Sequence, residues 1–479
     1  MHPSQRLPEV SLSGPVDTRV ALAQLWQAAG RPTEALSNIR LTGAEPALPS
    51  SFAVGTAAQV SIAASALAAA GLWHLRCGRH QLVTVDMRHA AIEFRSERYF
   101  RVGGQAPTEF WDKIAGLYRC GDSRWVRLHT NFAHHRDGVL ALLACDYDKA
   151  AVQRALLNWR AEEFEEAAAQ AGLVVVANRS FEEWDHHSQG IAVAALPVFS
   201  IEPIGDAPPQ PLALPVAPRP LSGVHVLDLT RIIAGPVCGR TLAAHGADVL
   251  LVTAPHLPAI EPLVIDTGRG KLSCQIDLRE TAGQSTLCAL LRDTDVFVQG
   301  YRPGALQSLG FGPEQVAQLR PGIVYVSLSA YSHVGPWADR RGFDSLVQTT
   351  SGLNDAEAQA AGTGEPRPLP AQALDHAAGY LMAFGAITAL ARRCTLGGSW
   401  HVRVSLVQTG KWLRQLGRLE RGLSCHETTF ADVQDLLEEQ DSGFGRLTAI
   451  RHAAQLSETP VRWARPSMPL GSHIAAWPE

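Results

Sequence analysis

Charge of one sign, paired cysteines and uninterrupted apolar runs of 18 residues are all missing from this 479-residue chain. With 42 Lys and Arg against 46 Asp and Glu, the net charge is −4, and the basic residues are scattered. That excludes the electrostatic footprint of a nucleic-acid binder and the basic amphipathic helix of a membrane-surface protein, so neither partner is expected. The eight cysteines include no C-x-x-C pair, and a chain of this size needs no covalent staples. Reduced thiols are expected, with no zinc site. His134–His135 and His186–His187 are adjacent pairs, not ligands one helical turn apart, and read as surface or loop histidines, with no metal expected. The start, "MHPSQRLPEVSLSGP", lacks the charged-then-apolar order of a signal peptide, and a cytoplasmic protein is the expectation.

Several catalytic signatures are also missing. A dinucleotide fold needs G-x-G-x-x-G at its first strand–helix turn, where backbone meets pyrophosphate. Here that turn reads "DLTRIIAGPVCG", with Ile232 and Ile233 where glycines belong. Neither the P-loop pattern nor a G-x-S-x-G nucleophile elbow occurs, which disfavours a nucleoside triphosphatase and a serine hydrolase.

What is present is a strongly organised α/β pattern. Residues 207–220, "APPQPLALPVAPRP", hold six prolines and can form neither a helix nor an interior strand. They read as an extended linker. Beyond them, apolar strands at 223–230, 247–255, 271–278, 294–301 and 322–329 alternate with helical segments, the first at 235–246. This predicts a Rossmann-like open, mostly parallel sheet with flanking helices over 221–406. Before the linker, 90–206 reads as a smaller α+β domain with a hairpin around Gly121–Asp122. Residues 1–89 read as a mainly helical N-terminal segment, and 407–479 as a helical tail.

A weak internal repeat joins the two halves. Residues 57–87 parallel 374–406: a small-residue helix, Arg-Cys, a glycine turn, then a strand ending at Asp86 or Ser405. Aligned on Arg-Cys, with two extra residues after it in the second copy, Asp375 falls opposite Ala58. Asp375 itself opens "DHAAGYLMAFGAITALARR", a buried-helix pattern. A helix cap is one reading of it and a nucleophile the other. Arg231, Arg269, Lys271 and Arg302 lie in loops at strand ends, where open sheets bind ligands, and suit a phosphorylated one.

These residues carry a resemblance. "DLTRIIAGP" (228–236), "GADVLLV" (246–252), "RGKLSCQIDL" (269–278), "VQGYRPGALQSLGFGPE" (298–314), "VSLSAYSHVGPWADRRGFDSLVQTTSG" (326–352) and "ALDHAAG" (373–379) resemble, in order and spacing, the family III CoA-transferases (CaiB/BaiF family). The tail "PSMPLGSHIAAW" is similar to that family's usual ending. "GLYRCGDSRWVRLHTN", "ALLNWRAEEFEEAAAQAGL" and "SFEEWDHHSQGIAVAALPV" resemble its small domain, out of the usual order. The chain therefore looks like two fused, rearranged copies, the first without its sheet. The resemblance implies transfer of CoA from an acyl-CoA donor to a small carboxylic acid through an aspartyl anhydride and an aspartyl-CoA thioester. It implies Asp375 as nucleophile and Arg231, Ala234, Lys271, Arg302 and Tyr331 near CoA. CoA would be a substrate, with no prosthetic group, and the assembly a homodimer or an intramolecular pseudo-dimer. The chain departs from the family pattern at Leu251, Thr253 and Leu272 and at Ser329-Ala330-Tyr331-Ser332. Gly342-Phe343-Asp344 lacks the histidine of the related racemases. A racemase and a non-catalytic CoA-binding scaffold are the alternative readings.

Overall fold

A computed structural model describes residues 14–213 and 218–478. The short apolar runs become strands because they are flanked by turns and, in the middle of the sheet, buried on both faces, the pattern of a parallel sheet covered by helices. In chain order the strands of the main sheet are β1 (Phe199–Gly205), β2 (His225–Leu229), β3 (Asp248–Thr253), β4 (Lys271–Gln275), β5 (Val296–Gln299), β6 (Val324–Ser329) and β7 (Ser399–Ser405). They lie in the order β4-β3-β2-β5-β6-β7-β1. All neighbours are parallel except β1, which runs antiparallel to β7. This is the expected open, mostly parallel sheet, with an edge strand supplied from before the proline-rich stretch. Strand order reverses between β2 and β5, so the loops leaving those two strands part from each other and leave a crevice.

Three helices bear on the crevice, α2 (Ala234–Ala244), α3 (Asp344–Thr350) and α4 (Ala373–Leu396), and a fourth, α1 (Val54–Cys77), packs behind α4. α4 packs along both α1 and α2. Small residues permit this: a Cβ added at Gly379 would lie 2.5 Å from the Ala234 carbonyl oxygen. Although the sequence has no strict 18-residue apolar run, α1 and α4 are long and apolar enough to cross a membrane by length and composition. Both are buried in the protein's own core, which accounts for that composition.

The two long helices have matching surroundings. Each is 24 residues long, and the residues before them, Ala53 (φ −76°, ψ 62°) and Gln372 (φ −75°, ψ 62°), share one conformation. Each helix is followed by a strand, Val83–Asp86 or β7, whose last residue caps another helix: Asp86 accepts from the His89 amide and Ser405 from the Gln408 amide. The spacing is therefore equal at both ends and no insertion is needed. Thr56, not Ala58, occupies the place in α1 that Asp375 occupies in α4. Nor is the first half without sheet. Ile39–Thr42 pairs parallel to Val83–Asp86, and Ala454–Leu456 from the C-terminal segment pairs antiparallel on the other side.

The predicted hairpin forms from Gly116–Arg119 and Trp125–Leu128, extended by Val175–Ala177. Helices Ala133–Leu143, Lys149–Leu156 and Ala161–Gln170 cover it around Val126 and Phe164. The tail departs from expectation. After the helix Leu406–Gln415 it forms a hairpin of Leu437–Ser442 and Gly445–Ile450, because "DSGFG" makes a turn between two runs with strand-like burial.

Candidate active site

The turn after β2 is strained. Ile232 has φ +76°, a region that β-branched side chains avoid and that is held only where surrounding structure imposes it. The strain turns the chain into α2, whose preceding residue Ile233 provides no side-chain cap. The first amides of that eleven-residue helix thus face the crevice with the positive end of its dipole. Opposite, a Cβ at Gly342 would meet Ala330 at 2.6 Å, so glycine there presses the 341–343 loop against the end of β6.

Between these walls lies a cavity of about 400 Å³, within the range of small-molecule sites. Arg231, Ala234, Arg302 and Asp375 all line it. So do Arg340, Arg341, Phe132, His134 and His135. Asp375 is the one carboxylate among its described lining residues, against four arginines. Arg340 is paired with Glu166. Burial lowers the Arg341 pKa, and repulsion from Arg302 and Arg231 lowers it further, so three guanidiniums converge on one opening. That arrangement attracts a phosphorylated or carboxylate ligand.

Asp375 is 6 % exposed and sits in the first turn of α4, yet it does not cap that helix. The cap is Asp344, the first residue of α3, whose Oδ2 accepts from the Leu374 amide at 2.7 Å and the Asp375 amide at 2.9 Å. Gln348 donates to the other Asp344 oxygen. The carboxyl of Asp375 accepts no hydrogen bond among the described residues and opens on the cavity. Burial pushes its pKa well above the carboxylate range, and the Asp344 and Glu97 charges push it further. Burial likewise raises Asp344 to about 6, against the pull of the two amides and Gln348. Because Asp344 takes the first amides of α4, those groups are not free to hold an oxyanion. The start of α2 at Ala234 is the free one.

Two residues expected near CoA are placed elsewhere. Lys271 is buried at the start of β4, its ammonium 2.8 Å from Asp228 and 2.8 Å from the Pro236 carbonyl. A lysine removed from water in this way needs both partners. It ties β2, β4 and α2 together rather than lining the cavity. Tyr331 is buried behind the cavity wall, edge-on to Trp337 at 5.1 Å, with its hydroxyl unpartnered among the described residues. The histidine pair read as surface lies in the first turn of helix Ala133–Leu143. His134 is exposed at the cavity rim, while His135 is buried with Nε2 3.3 Å from Arg341. Asp344, Arg340, Arg341 and the 132–135 segment were missed by sequence reasoning. The doublet in "ADRRGFD" was the only local signal, and nothing local placed 132–135 beside α4.

The model of CoA-transferase family III matches residues 221–420. An acetyl-coenzyme A transferase of Hypoxylon pulicicidum is 32% identical, over 51% of this chain and 42% of the relative. An acyl-CoA transferase of Gibberella moniliformis is 28% identical, over 68% of this chain and 64% of the relative. The crystal structure of a Mycobacterium tuberculosis protein, Rv3272, aligns at 30% identity over 41% of this chain and 59% of that one, with a TM-score of 0.36. The chain spans about half the length of the curated relatives it matches. Residues 221–420, with their reversed-order parallel sheet and a helix carrying Asp375, are thus similar to CoA-transferase family III.

Proposed function

We propose that this protein transfers CoA from an acyl-CoA to a carboxylic acid, with Asp375 as the nucleophile. The observation that carries the reading is that Asp375 is the only carboxylate among the described residues lining a cavity with four arginines, and is spared from capping by Asp344. An Asp375 oxygen attacks the thioester carbonyl, the C–S bond breaks, and CoA thiolate leaves a mixed anhydride. The thiolate then attacks the aspartyl carbonyl and releases the donor acid. The acceptor carboxylate attacks the resulting aspartyl-CoA thioester, and the thiolate returns to the acceptor acyl carbon, restoring Asp375. Each step exchanges one acyl bond for another, so thioester energy is kept while water is excluded. Arg231, Arg302 and Arg341 suit the anionic end of CoA, and the α2 start at Ala234 suits the oxyanion.

The relatives include a human succinyl-CoA:glutarate CoA-transferase and a formyl-CoA:oxalate CoA-transferase of Rhodopseudomonas palustris, which supports CoA transfer as the reaction class. A racemase is less well supported. Phe343 stands before Asp344, and the nearby His129 is held neutral at a pKa of about 3 by burial and then by Arg127 and His135. That imidazole is too weak a base to take a proton from carbon. The test is to incubate the protein with acyl-CoA and hydroxylamine and to look by mass spectrometry for a hydroxamate at Asp375. A labelled Asp375 is expected. No label with any donor, together with unchanged melting in CoA, would favour a scaffold.

A further inference from the structure

Asp375 borders two spaces. One is the arginine-lined cavity; the other is a mainly apolar niche of about 20 Å³, lined by Phe110, Trp111, His129, Ile232 and Phe343, with Asn131, Gln372 and Asp344 as its polar lining. Such a volume holds about one water-sized group. Its walls are braced against each other. His129 stacks on Phe343 at 3.9 Å between ring centroids, Trp111 meets His129 edge-on at 5.9 Å, and Phe110 leans on Trp111 at 5.7 Å. Ile232, the strained residue, borders both the cavity and the niche.

We propose that this niche holds the acyl group while its carbonyl faces Asp375, and that Phe110 and Trp111 restrict the reaction to short, uncharged acyl groups. The inference rests on Asp375 being the acyl acceptor. A thioester lying in the arginine-lined cavity presents its carbonyl at Asp375, and the niche is a mainly apolar space that borders the same carboxyl and shares Ile232, Ile233 and Phe343 with the cavity. A methyl group suits it, whereas a longer chain runs into the two aromatic rings. A second carboxylate on the acyl group is disfavoured too. No lysine or arginine lines the niche among the described residues, Asp344 does, and Arg127 lies over the Trp111 ring without reaching it. The selecting wall comes from residues 110–131, outside the 221–420 segment that the family model matches.

The test is the rate at which Asp375 is trapped as its hydroxamate with acetyl-, butyryl-, octanoyl- and succinyl-CoA. Hydroxylamine nitrogen attacks the activated aspartyl carbonyl and expels the donor acid or the thiolate. The wild-type protein is expected to favour acetyl-CoA over octanoyl- and succinyl-CoA by about tenfold or more. Trp111→Ala and Phe110→Ala are each expected to raise the octanoyl-to-acetyl ratio by about tenfold while leaving succinyl-CoA slow. Both side chains are half-buried, and Trp111→Leu provides a milder change that reads the same ratio if either alanine variant fails to fold. A wild-type preference for octanoyl- or succinyl-CoA, or an unaltered donor order in a variant with wild-type melting, would overturn the niche and leave the Asp375 reading intact. No label from any donor would overturn both.

Discussion

Helices α1 and α4 have the same length, enter from the same backbone conformation, and lead into strands that end in a capped helix. Even their capping is alike. The third amide of α1, at Thr56, donates to Glu45 at 2.6 Å, and the third amide of α4, at Asp375, donates to Asp344 at 2.9 Å. They differ in the side chain at that third position: a buried threonine hydroxyl in one helix, a carboxyl facing a cavity in the other. With the scaffold held constant, the pair separates what a long core helix needs from what chemistry needs. Helix formation needs an acceptor for the first amides, and a residue outside the helix provides it in both cases. A carboxylate inside the first turn adds nothing to that, and its burial costs free energy.

The largest effect is expected from removing the difference. Asp375→Asn should reduce CoA exchange, followed by chromatography of donor and product thioesters, by at least about a thousandfold. Its melting temperature should equal or exceed that of the parent above pH 6, since a buried carboxyl with raised pKa is removed and no cap is lost. A clear loss of stability would show that Asp375 serves the helix after all. Next, Thr56→Asp should install a buried carboxylate beside Glu45 and destabilise the fold by about 2–4 kcal/mol in denaturant titration, with no second labelled site. Arg302→Ala has no counterpart in α1's surroundings and should raise the KM for acyl-CoA about tenfold with little change in melting, as expected for one lost charge-assisted contact.

Asp344→Asn has the smallest expected effect. It should cost about 1 kcal/mol through a weakened cap. The pH dependence carries its signature. The folded Asp344 pKa of about 6 lies above the ordinary carboxylate value, so between these values the native state holds more protons than the unfolded state, and stability falls as pH rises through that window. Asp344→Asn should make that fall shallower, leaving the part that Asp375 contributes. It should also move the acid limb of the exchange rate to lower pH, because one of the charges raising Asp375 is gone and the nucleophile we propose is its deprotonated form.

The sheet was legible from the sequence because its strands alternate with helices locally, and each can be seen within about ten residues. Asp375 was legible for a different reason: a single acid before a long run of small apolar residues is a local anomaly. Its neighbourhood was not legible. Asp344 is 31 positions away, and the 110–135 wall is more than 200 away, so only the folded topology joins them to Asp375. Lys271 shows the converse. A lysine after "RG" at a strand start reads as a phosphate contact until the burial of Asp228 is known, and then the pair accounts for both. The repeat was visible but misaligned by two residues, because identical Arg-Cys pairs drew the alignment and the backbone does not follow them.

The exchange of edge strands has a consequence for how this polypeptide can be taken apart. β1 precedes the proline-rich stretch yet closes the sheet that follows it, while Ala454–Leu456 follows that sheet yet closes the small one formed by Ile39–Thr42 and Val83–Asp86. Each half thus holds a strand that belongs to the other, like two clasped hands. A protease nick within 207–220 should leave two pieces that travel together on gel filtration. Either piece made alone would present a bare row of amides and carbonyls, the template on which unrelated chains stick.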